Sequence, residues 1–404
     1  MTKVKVIDSL MGTGKTQYAI QHMNEANPLE KFIYITPYLA EVERILENTD
    51  RTFYAPNNSN KDGSKMRSLK EMIVDGKDIV STHSLFQTAD DELIELLTDS
   101  GYTLILDEVM DVIEKAPVTN RDITDLIRLG HIEVENNRVI WTCEDYDAQA
   151  AYSSVMMLAR AGNLFYHRGR FLIWAFPPQV FRLFDDVYIL TYLFDAQIQR
   201  YYFDLYGFQY EYHAVEYHDG KYELIEYDKT KESRKELYEL MNVYEGKLND
   251  IGGATNAFSA TFLKRMSAEK EEEVRNNIYN YFRNKLNAKV AEILWTTVKG
   301  EHELVRKGLA GKGYGKSFLQ CNARATNEYQ DRWALAYVFN RYMNPIERSF
   351  FEDNGVSVNQ DLLAVADLLQ WVYRSRIRNG ESIKLYLPSS RMRGLLKDWS
   401  ENKI

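Results

Sequence analysis

Through the first half of the chain, short apolar runs alternate with segments whose apolar residues recur every three or four positions. The runs fall at 4–7, 31–38, 78–81, 102–106 and 187–194, and the helical spacing falls at 17–23, 39–46, 68–75 and 90–97. Buried strands alternating with amphipathic helices predict an α/β fold built on a parallel sheet with helices on both faces. In such sheets ligands collect at the C-terminal ends of the strands.

Between 114 and 186 the rhythm breaks. Residues 122–129 and 148–161 have helical spacing, whereas 163–184 mixes aromatic residues with Arg168, Arg170 and Arg182. That mixture suits either a single nucleic-acid strand held by stacking and phosphate contacts or a hairpin packed on the core ahead of the Pro177-Pro178 turn. Past Gly207, alternating stretches flank Asp219-Gly220, a dipeptide suited to a tight hairpin turn. Charged amphipathic helices are expected at 233–248 and 267–286. Strands are expected at 289–298 and 317–321, a helix at 333–341, and a long helix at 361–378 that closes on Asn379-Gly380.

A chain of 404 residues exceeds one ordinary core, so two domains are expected. We place a first domain at 1–205, with a less regular insertion at about 115–185, and a second at 206–404, with a helical insertion at about 233–288.

The chemistry is concentrated at the ends of these predicted strands. The stretch KVIDSLMGTGKTQYAIQ passes from a strand through Gly12 and Gly14 into a helix opened by Lys15-Thr16. Glycines let backbone N–H groups curl around phosphate oxygens, and the helix N-terminus adds partial positive charge. Lys15 would reach the β- and γ-phosphates and the Thr16 hydroxyl would sit on Mg²⁺. Ser9 stands where the common pattern has Gly or Ala. The strand at 102–106 runs into Asp107-Glu108, an acidic pair suited to ordering the Mg²⁺ shell and polarising an attacking water. Two look-alikes carry less. AGKGYGKS at 310–317 follows a helix and precedes a strand, the reverse of what a phosphate loop needs, and reads as a mobile basic loop. Ser259-Ala260-Thr261 has no apolar strand before it, which leaves Thr191 as the threonine on a later strand.

Composition narrows the partners. The net charge of −9 argues against coating nucleic acid by bulk electrostatics. Locally, 364–397 is basic, with Arg374, Arg376, Arg378, Lys384, Arg391, Arg393 and Lys397 against Asp367 and Glu381. The only cysteines, Cys143 and Cys321, have no metal-ligand spacing. No apolar run reaches the ~20 residues of a membrane span, and no signal-peptide pattern opens the chain, so an intracellular, cytoplasmic protein is expected.

The GTGKT loop, Thr36-Pro37, Ser81-Thr82-His83, the DEVM box and Thr191 together resemble superfamily 2 helicases. The 361–378 segment, DLLAVADLLQWVYRSRIR, continues the likeness, and with the following RIRNGESIKLYLPSSRMRGLL it resembles helicases encoded by bacteriophages. Two departures stand out: Tyr373 replaces the usual Gly, and the last arginine is displaced, with Ile377 in its place. The resemblance implies two RecA-like parallel-sheet domains with ATP between them and a single strand of nucleic acid across both. Met11, Gly12, Thr13, Gly14, Lys15, Thr16 and Gln17 would hold ATP, with Thr16 and Asp107 on Mg²⁺. Lys15, Asp107 and Glu108 would act from one wall of the cleft, and Gln370, Arg374 and Arg378, four apart on one helix face, from the other. Thr36, Pro37, Thr82, His83, Thr296, Thr297 and Arg324 would contact nucleic acid, and Thr191 would couple the two sites. The implied function is an ATP-dependent DNA helicase or single-strand translocase, acting as a monomer on single-stranded or forked DNA. A nucleotide-dependent switch or scaffold acting on a protein partner, and an RNA-directed helicase, are the alternatives.

Overall fold

The computed structural model describes residues 2–60, 63–147, 150–298, 303–321 and 328–404. They divide into two compact units. The first comprises Met1–Ser9, Gly14–Glu226 and Asn344–Val358, and the second Leu10–Thr13, Tyr227–Met343 and Asn359–Ile404.

In the first unit the expected strands form as β1 (Lys3–Asp8), β2 (Lys31–Thr36), β4 (Asp78–Thr82) and β5 (Tyr102–Asp107), with an unanticipated short strand β3 (Phe53–Tyr54) between β2 and β4 in the chain. The chain then leaves this sheet for an antiparallel one made of β6 (Ile113–Lys115), β7 (Ile132–Glu135), β8 (Arg138–Trp141), β9 (Leu164–His167) and β10 (Phe171–Ala175), in the order β6-β10-β9-β8-β7. The irregular stretch is therefore a small sheet, and 163–184 is the hairpin alternative: β9 and β10 pair antiparallel. The helix expected over 148–161 is found at Ser153–Arg160, and residues 148–149 lie outside the described residues.

The chain returns as β11 (Asp186–Thr191), β12 (Tyr210–His218) and β13 (Lys221–Glu226), completing an eight-stranded sheet in the order β13-β12-β1-β11-β5-β2-β4-β3. Every pairing in it is parallel except the β12–β13 hairpin. Asp219 and Gly220 turn that hairpin at φ 48° and 86°, the left-handed pair a tight two-residue turn requires. The boundary expected at 205/206 is thereby corrected to 226/227. Val4 to Ile7 of β1 pair with Tyr210 to His213, so the hairpin extends the first sheet instead of opening a new domain.

A second segment also belongs to this unit. Helix Pro345–Asp353 carries Ser349, whose hydroxyl lies 2.8 Å from His167 Nε2 at the end of β9, both side chains being buried. Phe350 packs on Phe165 and His167, and Phe351 on Tyr201.

The second unit holds a four-stranded parallel sheet, β14 (Met241–Val243), β15 (Ile293–Thr296), β16 (Ala334–Tyr337) and β17 (Ile383–Tyr386), in the order β14-β17-β16-β15. Trp295, Trp371 and Trp399 are fully buried in it. Three expectations change here. The 333–341 segment is strand β16, because a run apolar on every side suits a strand covered on both faces as well as a buried helix. The 233–248 helix stops at Leu240 and continues as β14, so the region at about 233–288 is not wholly helical. The 317–321 segment makes a single bridge, Phe318 to Trp295.

The look-alikes resolve into structural parts. In 310–317 the Tyr314 side chain is buried, its hydroxyl near the Leu309 carbonyl at 2.5 Å, so this is a packed turn and not a mobile loop. Ser259 caps helix Ala260–Lys264 through the Phe262 N–H. No helix among the described residues is long and apolar enough to cross a membrane.

Candidate nucleotide site

Strand order brings the first-unit candidates together. β1, β11 and β5 are consecutive, and their C-terminal ends carry Asp8-Ser9, Thr191 and Asp107-Glu108. Their crossing points are bonded: Ser9 N–H donates to the Thr191 carbonyl at 3.1 Å, and Glu108 N–H to the Leu190 carbonyl at 2.9 Å.

Helix Lys15–Glu25 starts from Gly14, which sits at φ 98° with no side-chain cap, leaving first-turn N–H groups for an anion. An ideal Cβ at Gly14 would lie 2.1 Å from Tyr222 Cε1, so conformation and space both demand glycine. Gly12, grouped with the second unit, has φ 83° and would place a Cβ 2.5 Å from Tyr373 Oη. Lys15 Nζ donates to the Ser9 carbonyl at 2.6 Å. Ser9 itself is buried, and its hydroxyl accepts from Val215 N–H at 2.9 Å. The departure at this position therefore has a structural use, which is to pin β12 beside the loop.

The acidic pair occupies unusual surroundings. Tyr34, fully buried on β2, donates its hydroxyl to Asp107 Oδ2 at 2.9 Å. Desolvation, then the neighbouring charge of Glu108, push the Asp107 carboxyl up to about 7, against the Tyr34 hydrogen bond that favours the anion. Glu108 takes a left-handed φ of 67°, uncommon for a residue with a side chain. Its Oε2 is buried with no hydrogen-bond partner among the described residues. Thr191 Oγ1 and Thr36 Oγ1 are likewise buried without one. Two adjacent carboxylates, one destabilised as an anion and the other with an orphan oxygen, with the Lys15 charge acting on Asp107, are donor chemistry that fits a divalent cation with a phosphate chain.

Supports surround this set: Asp8 and Gln199, which sequence reasoning missed, and His83, which it expected only as a nucleic-acid contact. Asp8 is buried at the end of β1, and its two oxygens accept from Leu193 and Phe194 N–H at 2.8 Å each, holding the turn after Thr191. Gln199 Oε1 accepts from Met110 N–H at 3.0 Å and fixes the chain beyond the acidic pair. His83 is buried with Nε2 3.2 Å from the Asp107 carbonyl, which links the end of β4 to the end of β5. An acid directly after an apolar strand was the available signal for Asp8; nothing local marked Gln199.

The remaining candidates are placed as follows. Thr36 ends β2 and Thr82 ends β4, with Pro37 partly exposed after the first and the Thr82 hydroxyl 3.1 Å from that of Ser84. Thr296 and Thr297 are fully buried in the second unit, the Thr297 hydroxyl donating to the Val338 carbonyl at 2.9 Å. Arg324 lies outside the described residues. The long helix spans Gln360–Val372, with Tyr373 as its cap. Ser375 Oγ donates to the Val372 carbonyl at 2.7 Å and takes over a bond the next helical turn would have made. Gln370 thus stands on the helix while Arg374 follows it and Arg378 lies in the turn Arg376–Asn379, so the three do not form one helical stack. Much of the basic surplus has internal work. Arg391 bonds Asn340 Oδ1 and the Arg341 carbonyl, and Arg393 bonds the Leu387 and Pro388 carbonyls.

The chain has relatives in sequence and in fold. The chain is 42% identical over 414 residues to the SPbeta prophage-derived uncharacterized protein YonV of Bacillus subtilis (strain 168), with all of each chain covered. Residues 235–400 match the family described as the YonV C-terminal Rossmann-like domain, and 113–174 match the YonV middle domain, the stretch that forms the antiparallel sheet. Among solved structures, an apo XPD has a TM-score of 0.53 at 11% identity, over 99% of this chain and 95% of that one. An XPD helicase structure has a TM-score of 0.49 at 10% identity, over 98% and 94%. The first likeness shows the fold alone, an α/β architecture built on parallel sheets.

Proposed function

The chain belongs to the YonV family, and on that footing we propose that it is an ATP-dependent DNA helicase or single-strand DNA translocase serving phage replication or recombination. The observation that carries this reading is the end-on arrangement of β1, β11 and β5, where Lys15, Thr191 and the Asp107-Glu108 pair share one edge of the sheet. The likeness in fold to an apo XPD supports it.

On this reading the loop N–H groups and Lys15 bind the phosphate chain of ATP. Thr16 and Asp107 would hold Mg²⁺, which when bound neutralises phosphate charge. Glu108, poised by its left-handed backbone, orients the attacking water and takes its proton on the orphan Oε2. Arg374 stabilises the charge that develops on the transferred phosphoryl group. Thr36, Pro37, Thr82 and His83 line the strand ends that grip nucleic acid. Because Thr36, Thr296 and Thr297 bury their side chains, they offer the strand backbone groups and not hydroxyls. Thr191, between the two acidic and basic walls of the sheet edge, couples hydrolysis to grip.

The test is ATP turnover by the full chain with and without single-stranded DNA at low salt. Stimulation by DNA that exceeds stimulation by a matched RNA is expected. Turnover indifferent to either strand would overturn the translocase reading in favour of a nucleotide-dependent switch.

A further inference from the structure

The β12–β13 hairpin stands where a nucleoside would lie. If the phosphates thread the loop after β1 and hydrolysis occurs at the Asp107-Glu108 pair, the γ-end points across β11 towards β5. The nucleoside end then points the opposite way, towards the other neighbour of β1, which is β12.

That strand is long enough to rise above the loop. Ile7 pairs with His213, and Val215 N–H reaches Ser9 Oγ, so Tyr217 lies two residues further on, about 7 Å beyond the level of Ser9. Tyr217 faces Tyr222 directly across the hairpin, with ring centroids 4.8 Å apart. Tyr222 is the ring that abuts Gly14, while Tyr217 is 60% exposed. One aromatic ring thus touches the phosphate loop and the next extends from it into solvent.

The hairpin is also fixed to the loop's helix. Gln21 donates through Nε2 to the Tyr222 carbonyl at 3.1 Å and accepts through Oε1 from the Tyr222 N–H at 2.9 Å. Lys221 adds a contact to Glu25 at 2.9 Å. Gln21 spends one N–H and one lone pair on the Tyr222 backbone and also bonds Glu25, so its amide is committed to holding the hairpin on the helix.

We propose that Tyr217 and Tyr222 form the nucleoside platform of the site, and that it takes purine nucleoside triphosphates by ring stacking with little discrimination between adenine and guanine. Stacking uses the π-face that every purine has, whereas discrimination needs hydrogen bonds to the base edge. This rests on the phosphate-loop reading above.

The experiment titrates Mg·ATP, Mg·GTP and Mg·tripolyphosphate into the full chain by calorimetry, for the wild type, Tyr217→Ala and Tyr217→Phe. We expect ATP and GTP to bind within about threefold of each other. Tyr217→Ala should weaken both by about tenfold and leave tripolyphosphate unchanged, and Tyr217→Phe should restore them. Nucleotide binding unaltered in Tyr217→Ala, equal loss of tripolyphosphate binding, or a preference for ATP above about a hundredfold overturns the platform alone. A wild type that binds none of the three ligands overturns the phosphate-loop reading, and the platform with it.

Discussion

Asp107→Asn should stabilise the metal-free protein, and by more at pH 8 than at pH 5. The wild-type carboxyl rises from 3.8 to about 7 on folding, so between those values the folded chain holds a proton that the unfolded chain has lost. Stability from this group is therefore fully present below about pH 4 and is lost as pH climbs through about 7. Each unit of pH across that window costs about 1.36 kcal/mol, so the two units from pH 5 to pH 7 amount to at most about 2.7 kcal/mol. Above the folded value the curve is flat. Asparagine keeps an oxygen for the Tyr34 hydroxyl but has no charge to desolvate, so its stability lacks this slope. Urea unfolding of both proteins in EDTA at pH 5 and pH 8 measures the effect as the growth of the difference between them. Added Mg²⁺ at pH 8 should then narrow the gap by stabilising the wild type, because the cation binds the folded chain and offsets the buried negative charge. A difference of equal size at the two pH values would refute the claim that Asp107 is held against ionisation.

Arg374→Ala should leave ATP affinity nearly intact while slowing hydrolysis by about 10³-fold or more, read by comparing nucleotide titration with turnover; parallel losses would mean the arginine is not a transition-state group. Gly252→Ala would put a methyl group 1.8 Å from the Pro388 carbonyl oxygen, which is backbone. It should cost about 3 kcal/mol, visible as a fall of several degrees in the Tm of the second unit. Ser349→Ala removes the buried partner of His167 and should cost about 1–2 kcal/mol, with faster hydrogen exchange confined to helix Pro345–Asp353 and the β9 end.

The first sheet was legible because its strands are short apolar runs with a polar or acidic residue at the C-terminal end, and each chemical residue sits at such an end or, for Lys15, after the glycine loop that follows one. Lys15, Thr36, Thr82, Asp107 and Thr191 were all placed by that grammar. What escaped it depends on pairings between distant parts of the chain. The alternating residues of β12 and β13 identify a hairpin, yet nothing in them says that β12 will dock on β1. That choice is made by Val215 reaching Ser9 and by Leu224 and Tyr222 packing over helix Lys15–Glu25. Helix Pro345–Asp353 is a similar case, since its membership in the first unit follows from Ser349, Phe350 and Phe351 meeting β9 and Tyr201.

The acidic pair shows why a motif underspecifies its own chemistry. Two adjacent carboxylates at a strand end are ordinary when water surrounds them; what sets this pair apart is the company it keeps from other strands. Tyr34 comes from β2, the carbonyl of Leu190 that anchors Glu108 comes from β11, and Gln199 holds the chain just beyond. These contacts stop the carboxylates from turning out to solvent, and burial then makes the second negative charge costly until a cation arrives. Ser9 works in the same way on the opposite side, because the hydroxyl that departs from the common loop pattern is the one that seats β12 and carries Tyr217 above the loop. The supports of the two carboxylates and of the hairpin thus reach the loop from strands that a linear motif does not contain, β2 and β11 on one side of β1 and β12 on the other.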